Sequence, residues 1–304
     1  GYALGLGRRD RHGAVGYCHG GNIVGFVAMF CIFPDQQKAF AYSVNTDSET
    51  ADYGRLDALF IGSLSIAKVS PPPTAIPAAE TSQWHGWYTL RPNRFGTFEY
   101  LDDVFGAVHI SADDDFLLLA PMQQATRRLR PVGEYLFSAK DRTTMSHVFL
   151  RDGQGDYLFS DGFRTYQRVS TAYLATHWTS ALMGLSGLTW IVLAGLISGF
   201  RHRSGMLRQP IAPSFIATVL LFLPMPFFMA QPFMALGDLT LASGLLATVT
   251  LMLPAGMLMT IVRARKMWKE THLNLLHGLA AIFVLQWCAV QAGAGLLPLR
   301  LWAL

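Results

Sequence analysis

A histidine followed at once by two glycines stands between two apolar runs near the start of the sequence, in VGYCHGGNIVGFVAMFCIFP (15–34). An imidazole can orient a polar substrate or transfer a proton near neutral pH, and glycines let a ligand lie directly against a strand. His19, Gly20 and Gly21 are therefore the first candidates for a functional site. Taken alone, the run favours a simpler interpretation, a glycine-rich hairpin with a hydrogen-bonded histidine.

Cysteine and histidine patterns point away from a metal centre. Cys18 and Cys31 flank a tight GNIVG turn and could bridge in an antiparallel hairpin, but we expect two small buried thiols. The nine histidines show no metal-like grouping, and His272 and His277, five residues apart, fall on different helical faces. The sequence predicts no metal and no cofactor.

Charge separates the chain into two parts. Up to Ala175, 16 Lys and Arg stand against 18 Asp and Glu, a net charge of −2; the remainder has 8 against 2, a net of +6, and the two add to +4. Nucleic-acid-binding domains present a basic, aromatic-rich surface. Because the first part is slightly acidic, we predict no nucleic-acid partner.

Four apolar runs are each long enough to cross a bilayer core, which takes about 20 residues of helix. Pro224 and Pro226 predict a kink in the second run. His277, Gln286 and Gln291 are expected to hydrogen-bond between helices or to lie at helix ends rather than to line a transport path. The predicted transmembrane region is 179–297, with spans at about 179–200, 212–233, 241–262 and 273–297.

Positive charges between the spans predict the orientation. The first and third loops are basic, whereas QPFMALGDLT (231–240) has no Lys or Arg. Short basic loops stay in the cytoplasm. Residues 1–175 are therefore predicted to be extracytoplasmic, in a multi-pass protein of the bacterial cytoplasmic (inner) membrane. The basic residues are Arg201, Arg203 and Arg208 in the first loop, and Arg263, Arg265, Lys266 and Lys269 in the third.

The part ahead of the spans divides at KVSPPPTAIPAAETSQ (68–83), which is predicted to be a linker because proline removes backbone donors. Residues 1–67 predict a short antiparallel sheet closed by a helix. Tyr2, Leu4 and Leu6 alternate on one strand, a DQQ turn separates two apolar strands, and the helix covers ETADYGRLDALFIGSLSIA with Leu59 among its apolar positions.

Residues 84–170 carry short β-like runs divided by turn signals, which predict a small all-β accessory domain, a barrel or a sandwich. The runs are GWYTL, GTFEYL, GAVHI, FLLLAP, YLFS and TYQRV. No nucleophile–base pair stands out among them.

The order strand, turn, His-Gly-Gly strand, turn, strand, strand, helix resembles the C-terminal portion of the serine β-lactamase-related family. That family includes class C β-lactamases, penicillin-binding D-alanyl peptidases and related esterases. The resemblance covers residues 1–66, in YALGLG followed by GYCHGGNIVGFVAMFCIFPDQQKAFAYSVNTD. It implies a partial α/β serine β-lactamase-like fold, and the β-domain and membrane helices that follow look like those of multidomain members.

The resemblance also assigns roles within the candidate site. The family's third active-site motif is Lys or His, then Thr, Ser or Gly, then Gly, which here is His19, Gly20 and Gly21. It implies that the N–H of Asn22 stabilises the oxyanion of acyl transfer and that His19 orients substrate or supports proton transfer. Glycine in the middle position departs from the Thr or Ser of many members, which puts hydroxyl binding of a substrate carboxylate in doubt.

Two short matches to the family's other motifs are expected to be coincidental. SIAK (65–68) fits Ser-x-x-Lys and SVN (43–45) fits Ser-x-Asn, but both follow His19, whereas the family places both motifs before it. Ser65 falls at a helix end and Ser43 in a buried-looking strand. Since the chain also opens on Gly1 without Met or a leader, we expect the nucleophile and its lysine to be absent from it, and the chain alone to be inactive.

The sequence thus predicts the C-terminal part of a membrane-anchored, extracytoplasmic serine hydrolase that acts by acyl transfer on a β-lactam, D-amino peptide or ester. Its partners are a small-molecule or peptide acyl substrate and the lipid bilayer; the oligomeric state is open. The alternative is a multi-pass membrane protein whose outer domains bind ligand but are catalytically inactive.

Overall fold

The structure, a computed structural model, describes residues 2–48, 50–69, 81–93, 96–113, 116–133, 135–140, 142–202, 204–267 and 269–303. Most of the predicted linker (70–80) and Arg203 of the first basic loop lie outside these ranges. The chain forms two compact units, one of Gly1–Pro92 and Phe105–Ser170, the other of Asn93–Val104 and Thr171–Leu304. The helices are α1 (Tyr53–Ser63), α2 (Glu99–Phe105), α3 (Thr171–Arg201), α4 (Ala212–Leu220), α5 (Met225–Ala230), α6 (Leu241–Lys266) and α7 (His272–Gly293). The strands are β1 (Tyr2–Ala3), β2 (Leu6–Arg11), β3 (Ala14–Ile23), β4 (Phe26–Phe33), β5 (Lys38–Val44), β6 (Gly86–Leu90), β7 (Val108–Asp113), β8 (Phe116–Pro121), β9 (Arg127–Pro131), β10 (Leu136–Ala139), β11 (His147–Arg151), β12 (Tyr157–Ser160) and β13 (Thr165–Val169).

The predicted antiparallel sheet closed by a helix is confirmed. Strands β1 to β5 pair in sequence order, and α1 packs against one face. The core there contains Phe33, Phe40 and Ile61, and Phe40 stacks on Phe60 with ring centroids 5.3 Å apart. Alternation along β3 and β4 places every second residue against α1, among them Cys18, Cys31 and Phe33.

Two details of this sheet differ from the expectation. Tyr2, Leu4 and Leu6 do not share one strand, because Leu4 and Gly5 both have positive φ (55° and 78°) and fold Tyr2–Ala3 back onto β2. Such a pair of residues makes a tight hairpin turn. Leu59 is 65% exposed, because α1 turns Asp57 and Ile61 to the sheet instead.

The β-domain is a closed eight-stranded barrel, so the barrel prediction is confirmed and the sandwich alternative is not. All pairs are antiparallel, and pairing of β6 with β13 joins the first strand to the last. The interior is filled by side chains rather than left hollow. Its largest buried aromatic residues are Trp84, Tyr88, Phe137, Phe149 and Phe159.

GTFEYL (96–101), predicted as a strand, is helical and belongs to the unit of the membrane helices. A short 3-10 turn at Gly96–Phe98 leads into α2. There Trp287 Nε1 donates to Tyr100 Oη (2.8 Å) and Tyr173 Oη donates to Asp103 Oδ2 (2.6 Å). The apolar residues of this segment pack against helices α3 and α7. Their spacing reflects this packing, and it was wrongly interpreted as that of a strand.

Four helical segments are long and apolar enough to cross a membrane: Thr171–Arg201, Ala212–Ala230, Leu241–Lys266 and His272–Gly293. The second is interrupted between α4 and α5, where Pro224 is the N-cap of α5 and Pro226 is its second residue. Proline lacks a backbone donor and fits the first helical turn. The predicted kink is thus observed as a break in the helix.

Gln286 and His277, two of the three polar residues considered, hydrogen-bond between helices, which is one of the two predicted roles. Gln286 exchanges hydrogen bonds with Ser180, accepting from its hydroxyl (2.8 Å) and donating to its carbonyl (2.9 Å). Trp190 Nε1 donates to His277 Nδ1 (3.1 Å). Because these hydrogen bonds join α3 to α7, they stabilise the helix bundle.

Candidate functional site

The His-Gly-Gly-Asn run lies in the second half of β3, at the point where this strand loses one of its two neighbours. Pairing between β2 and β3 ends at Gly7 and Cys18, because the chain before Gly7 folds back towards β1. Pairing between β3 and β4 continues to Ile23 and Phe26. From His19 to Ile23, one edge of β3 therefore has no strand partner among the described residues.

The register shows which backbone groups face this open edge. Cys18 and Cys31 lie directly opposite each other with their Cα atoms 4.1 Å apart, the close spacing of a non-hydrogen-bonded pair. Pair types alternate along an antiparallel ladder, so Gly20 and Asn22 are also non-hydrogen-bonded positions with respect to β4. Their N–H groups therefore point away from β4 and towards the open edge.

Cys18 and Cys31 form a disulfide, so the expectation of two free thiols is wrong. Directly opposite positions on neighbouring strands bring the two side chains together, which sequence spacing alone did not fix. Within the described residues, Cys288 is the free cysteine, and it is buried. The disulfide joins β3 to β4 at the residue immediately before His19.

The imidazole of His19 is exposed but oriented. Its Nδ1 lies 2.6 Å from the carbonyl oxygen of Gly5. A carbonyl only accepts hydrogen bonds, so Nδ1 carries the proton and Nε2 of the neutral ring is left as an acceptor. Gly5 reaches this position through the positive-φ turn between β1 and β2. This contact could not be predicted from the sequence, because it joins two residues that are 14 positions apart.

The two glycines of the motif have different surroundings. A Cβ at Gly21 would meet no atom within 4 Å, so the backbone there is open to an approaching ligand. A Cβ at Gly20 would lie 3.0 Å from Met29 Cε, the end of a flexible side chain that would have to shift slightly. Gly21 therefore has open space beside it, whereas Gly20 packs closely against Met29.

A cleft of about 410 Å³ opens beside His19, between the sheet and one end of the barrel. Arg9 is neutralised by Asp57 at 3.0 Å, and Asp57 also accepts from Tyr42 Oη at 3.0 Å. Burial, followed by the bond to Asp57 and its charge, raises the pKa of Tyr42 to about 12. Among the described residues, the side chains that line the cleft are those of Arg8, Arg9, Arg11, Cys18, His19, Met29, Arg142 and Phe163, of which four are arginines.

Asp10 ties this edge of the sheet to the barrel. It is buried, and its carboxylate accepts hydrogen bonds from the backbone and hydroxyl groups of Thr143 and Thr144, the Thr143 N–H at 3.0 Å. Burial alone would raise the pKa of Asp10, but these hydrogen bonds outweigh it and lower the pKa below its usual value. The neighbouring Arg142 Nη1 donates to the Asp10 carbonyl (3.3 Å).

The serines of the two coincidental motifs lie away from His19. Ser65 is exposed after the end of α1, where its carbonyl accepts from Lys38 Nζ (3.2 Å). Ser43 is exposed on β5, so the expectation of a buried strand position is wrong. Strand β4 separates it from β3, which at the usual strand spacing places it roughly 10 Å away.

A serine–histidine pair that the sequence analysis did not single out lies at the end of the barrel. Ser146 Oγ is 2.8 Å from His147 Nδ1, and both line a cavity of about 130 Å³. Ser146 Oγ also accepts from the Ala139 N–H (2.9 Å). These bonds close the loop between β10 and β11, so the pair has a structural role. Among the described residues, no group of three His, Cys, Asp or Glu side chains is arranged to hold a metal ion.

Comparison with known proteins does not identify a family for this chain. No family model matches the chain, and no curated protein matches it significantly. Among solved structures the chain is similar to SurE with D-Leu (21% identity, TM-score 0.35, 56% of this chain and 39% of that one) and to SurE (23%, 0.34, 56% and 38%). The chain thus spans less than half the length of those proteins. At this TM-score the similarity carries no argument about fold or function.

Proposed function

We propose that His19, Gly20, Gly21 and Asn22 form the third active-site motif of a membrane-anchored serine hydrolase of the β-lactamase-related family. The reaction is acyl transfer from a β-lactam, D-amino peptide or ester. The observation that supports this most strongly is the open edge of β3, where the N–H groups of Gly20 and Asn22 face solvent beside an oriented imidazole. Donors fixed in advance on a strand edge are what an oxyanion needs.

Each residue then has a defined task. The Asn22 N–H donates to the developing oxyanion, and Gly21 lets the substrate backbone lie against β3 as an added strand. His19 Nε2 accepts a proton or a substrate N–H, because Nδ1 is held by Gly5. In this family the Ser-x-x-Lys motif precedes the third motif in chain order, so these residues supply the oxyanion and substrate-binding side of the site.

The proposed location is outside the cytoplasm, with the bilayer as the second partner. The Cys18–Cys31 disulfide supports a location outside the cytoplasm, because disulfides persist in oxidising compartments. The basic first and third loops support it independently.

Cysteine labelling tests the orientation. Ser204 and Gly237 are exposed in the first and second loops. In a Cys288→Ala background, which keeps the disulfide, Gly237→Cys should react with an impermeant maleimide in intact cells and Ser204→Cys only after permeabilisation. The reverse pattern, or equal reaction of both, contradicts the proposed orientation.

A ligand-binding protein without hydrolase activity is the second candidate. The arginine-lined cleft favours it, since binding an anion requires no nucleophile. Labelling of native membranes with a serine-reactive fluorophosphonate or a fluorescent penicillin separates the two. We expect the protein as its gene encodes it to be labelled, and the 304-residue chain on its own to remain unlabelled.

Three outcomes of this labelling are decisive. One labelled serine preceding the His-Gly-Gly strand supports the hydrolase. Label at Ser43, Ser65 or Ser146 within the 304-residue chain contradicts the assignment of the site. No label in either protein, at probe concentrations that label a control serine hydrolase, favours the binding protein.

A further inference from the structure

Positive charge is concentrated at one end of the membrane helices. The ends of α3 and α6 and the connections that follow them carry seven Lys and Arg against one acid, Glu270, which is a net charge of +6. Arg263 Nη1 donates to the Leu207 carbonyl (2.8 Å), so the two connections meet. The bases are Arg201, Arg203, Arg208, Arg263, Arg265, Lys266 and Lys269.

An apolar groove of about 230 Å³ lies between α6 and α7 and begins at this basic end. The two helices come close at Ala264 and Gly278, since a Cβ added at Gly278 would lie 3.5 Å from Ala264 Cβ. Leu275, Leu279 and Ile282 of α7 also line the groove, and each is about half exposed. Because these positions fall within a span, the apolar surface that they expose is turned towards lipid chains.

The polar residues of the groove, Arg265 and Asn274, both lie at its basic end. Asn274 is buried, and its Nδ2 donates to the Met267 carbonyl (2.7 Å) at the C-terminus of α6. Arg265 is exposed, and among the described residues no carboxylate lies within 4 Å of its guanidinium. Glu270 is the only acid of the sequence after residue 240. The groove therefore combines an apolar length with a cation that has no acidic partner in the described part of the chain.

An anionic phospholipid has the two features that this groove can bind. Its phosphate can accept charge-assisted hydrogen bonds from Arg265, next to the positive end of α7, whose N-cap Thr271 makes no side-chain hydrogen bond. Its acyl chain can fill the groove, which follows α7 from Asn274 to Ile282. Eight residues of helix rise about 12 Å, close to the roughly 15 Å depth of one leaflet. Basic pockets between membrane helices are known to bind anionic headgroups.

A second copy of the chain is the other occupant that such a groove could take. A two-fold contact places the same surface on both copies, so it would bring two basic ends together. Like charges repel, and apolar surface gains little when it leaves lipid for another helix. The charge at the end of the groove therefore favours the lipid.

We propose that the groove between α6 and α7 binds one anionic phospholipid, with the phosphate on Arg265 and an acyl chain against Ala264, Gly278 and Leu279. Under the proposed orientation this lipid belongs to the cytoplasmic leaflet. The site requires no hydrolysis, so it is independent of the reaction proposed above and holds for either candidate function.

Ligands that differ in charge and in chains test the site on the protein as its gene encodes it, purified in a nonionic detergent. Dioleoyl phosphatidylglycerol and dioleoyl phosphatidylcholine share their acyl chains, and glycerol 3-phosphate has the phosphate without chains. Binding is followed by native mass spectrometry and by ligand-induced shifts of the melting temperature. We expect phosphatidylglycerol to bind about tenfold or more tightly than phosphatidylcholine, and glycerol 3-phosphate to bind far more weakly than phosphatidylglycerol.

Variants of the basic end assign the charge preference to Arg265. Arg265→Gln should remove the preference for phosphatidylglycerol, whereas Arg265→Lys should keep part of it, because the charge remains but the planar fork is lost. Lys269→Gln is the matched control. It removes the same charge from an exposed position of the same connection that does not line the groove, and it should change the preference far less.

Variants of the apolar length test the acyl chain. Gly278→Leu places a side chain in the groove and should weaken the binding of both lipids. Gly244→Leu, near the other end of α6 where an added Cβ meets no atom within 4 Å, is its control. If Gly278→Leu lowers the melting temperature without lipid, Leu279→Trp takes its place, since Leu279 is 41% exposed and can be enlarged without touching the contact between the helices.

Equal affinity of the wild type for the two lipids would overturn the proposal. So would a folded Arg265→Gln protein that retains the preference, or a folded groove-filling variant that binds phosphatidylglycerol like the wild type. Glycerol 3-phosphate that binds as tightly as phosphatidylglycerol would show a phosphate site without a chain. A lipid-free dimer that Gly278→Leu dissociates would assign the groove to a second copy. Each of these two results also rejects the lipid site.

Discussion

The barrel and the five-stranded sheet differ in whether their strands have unpaired edges. The barrel closes on itself through β6 and β13, and aromatic side chains fill its interior. In the sheet, half of β3 has no partner on one edge among the described residues, and glycines, a polar amide and an oriented imidazole lie along it. An unpaired strand edge can pair with other chains and so favours aggregation. The proposed function assigns this edge to a ligand.

This contrast predicts that stability is concentrated in the barrel core. Phe149 is fully buried there among other aromatic rings, whereas the next residue, Leu150, is 38% exposed. Phe149→Ala should cost about 3–5 kcal/mol because it leaves a cavity and removes ring contacts. In detergent this corresponds to a lowering of the melting temperature on the order of 10 °C.

Leu150→Ala is the matched control and should lower the melting temperature far less. If the two variants melt alike, the barrel interior is not the packed core that the structure describes.

In the sheet, a disulfide joins β3 to β4 next to the half of β3 that lacks a second strand partner. Cys18 and Cys31 are 13 residues apart and join β3 to β4 immediately before the open half. The double variant Cys18→Ala/Cys31→Ala should lose about 2–4 kcal/mol of stability. Reduction of the wild type should lower its melting temperature in the same way. Cys288→Ala, which touches no disulfide, is the control; a wild type insensitive to reductant would contradict the pairing.

The connection between sheet and barrel should depend on pH through Asp10. Because its pKa is lowered in the folded state, its contribution is complete above the unfolded pKa of about 3.9 and is lost as pH falls through the folded value. Asp10→Asn should therefore destabilise by about 2 kcal/mol near neutral pH, through hydrogen bonds lost from a charged acceptor. Denaturant unfolding at a series of pH values measures this.

Below about pH 4 the difference between wild type and Asp10→Asn should shrink towards zero. Asp113→Asn, which removes a half-exposed ion pair with Arg128 (2.9 Å), is the control and should cost about 0.5 kcal/mol or less. A difference for Asp10→Asn that is constant with pH would contradict the role of its carboxylate.

The elements that the sequence predicted are those whose signal is local. Long apolar runs define membrane helices wherever they occur, and alternation with turn residues gave most barrel strands. The strand prediction for GTFEYL was wrong because its apolar residues pack on helices that are distant in sequence. Tyr100, for example, accepts a hydrogen bond from Trp287, a contact that no local sequence pattern indicates. The single strand predicted over Tyr2, Leu4 and Leu6 was wrong because an alternating pattern gives no sign of two consecutive residues with positive φ, which form the turn between β1 and β2.

The candidate site was chosen from a short motif, and its surroundings could not be predicted. His19 was selected from the His-Gly-Gly run and Asn22 from the family resemblance, whereas the direction of their backbone groups follows only from the strand register. The arginine cleft could not be predicted, since Arg8 and Arg142 meet only when the sheet and the barrel come together. The disulfide likewise depends on which residues face each other across β3 and β4. The β-lactamase-like identity of the sheet stays a prediction.

The central claim is that the Asn22 N–H on the open edge of β3 stabilises an oxyanion, and the contrast between two substitutions at this residue tests it most directly. Turnover of an acyl substrate is measured for the protein as its gene encodes it, with each variant first shown to melt within a few degrees of the wild type. Asn22→Ala keeps the backbone donor and should leave turnover nearly unchanged. Asn22→Pro removes the donor and should reduce turnover on the order of 100-fold or more. If the folded Asn22→Pro protein turns over like the wild type, the open edge of β3 is not an oxyanion site.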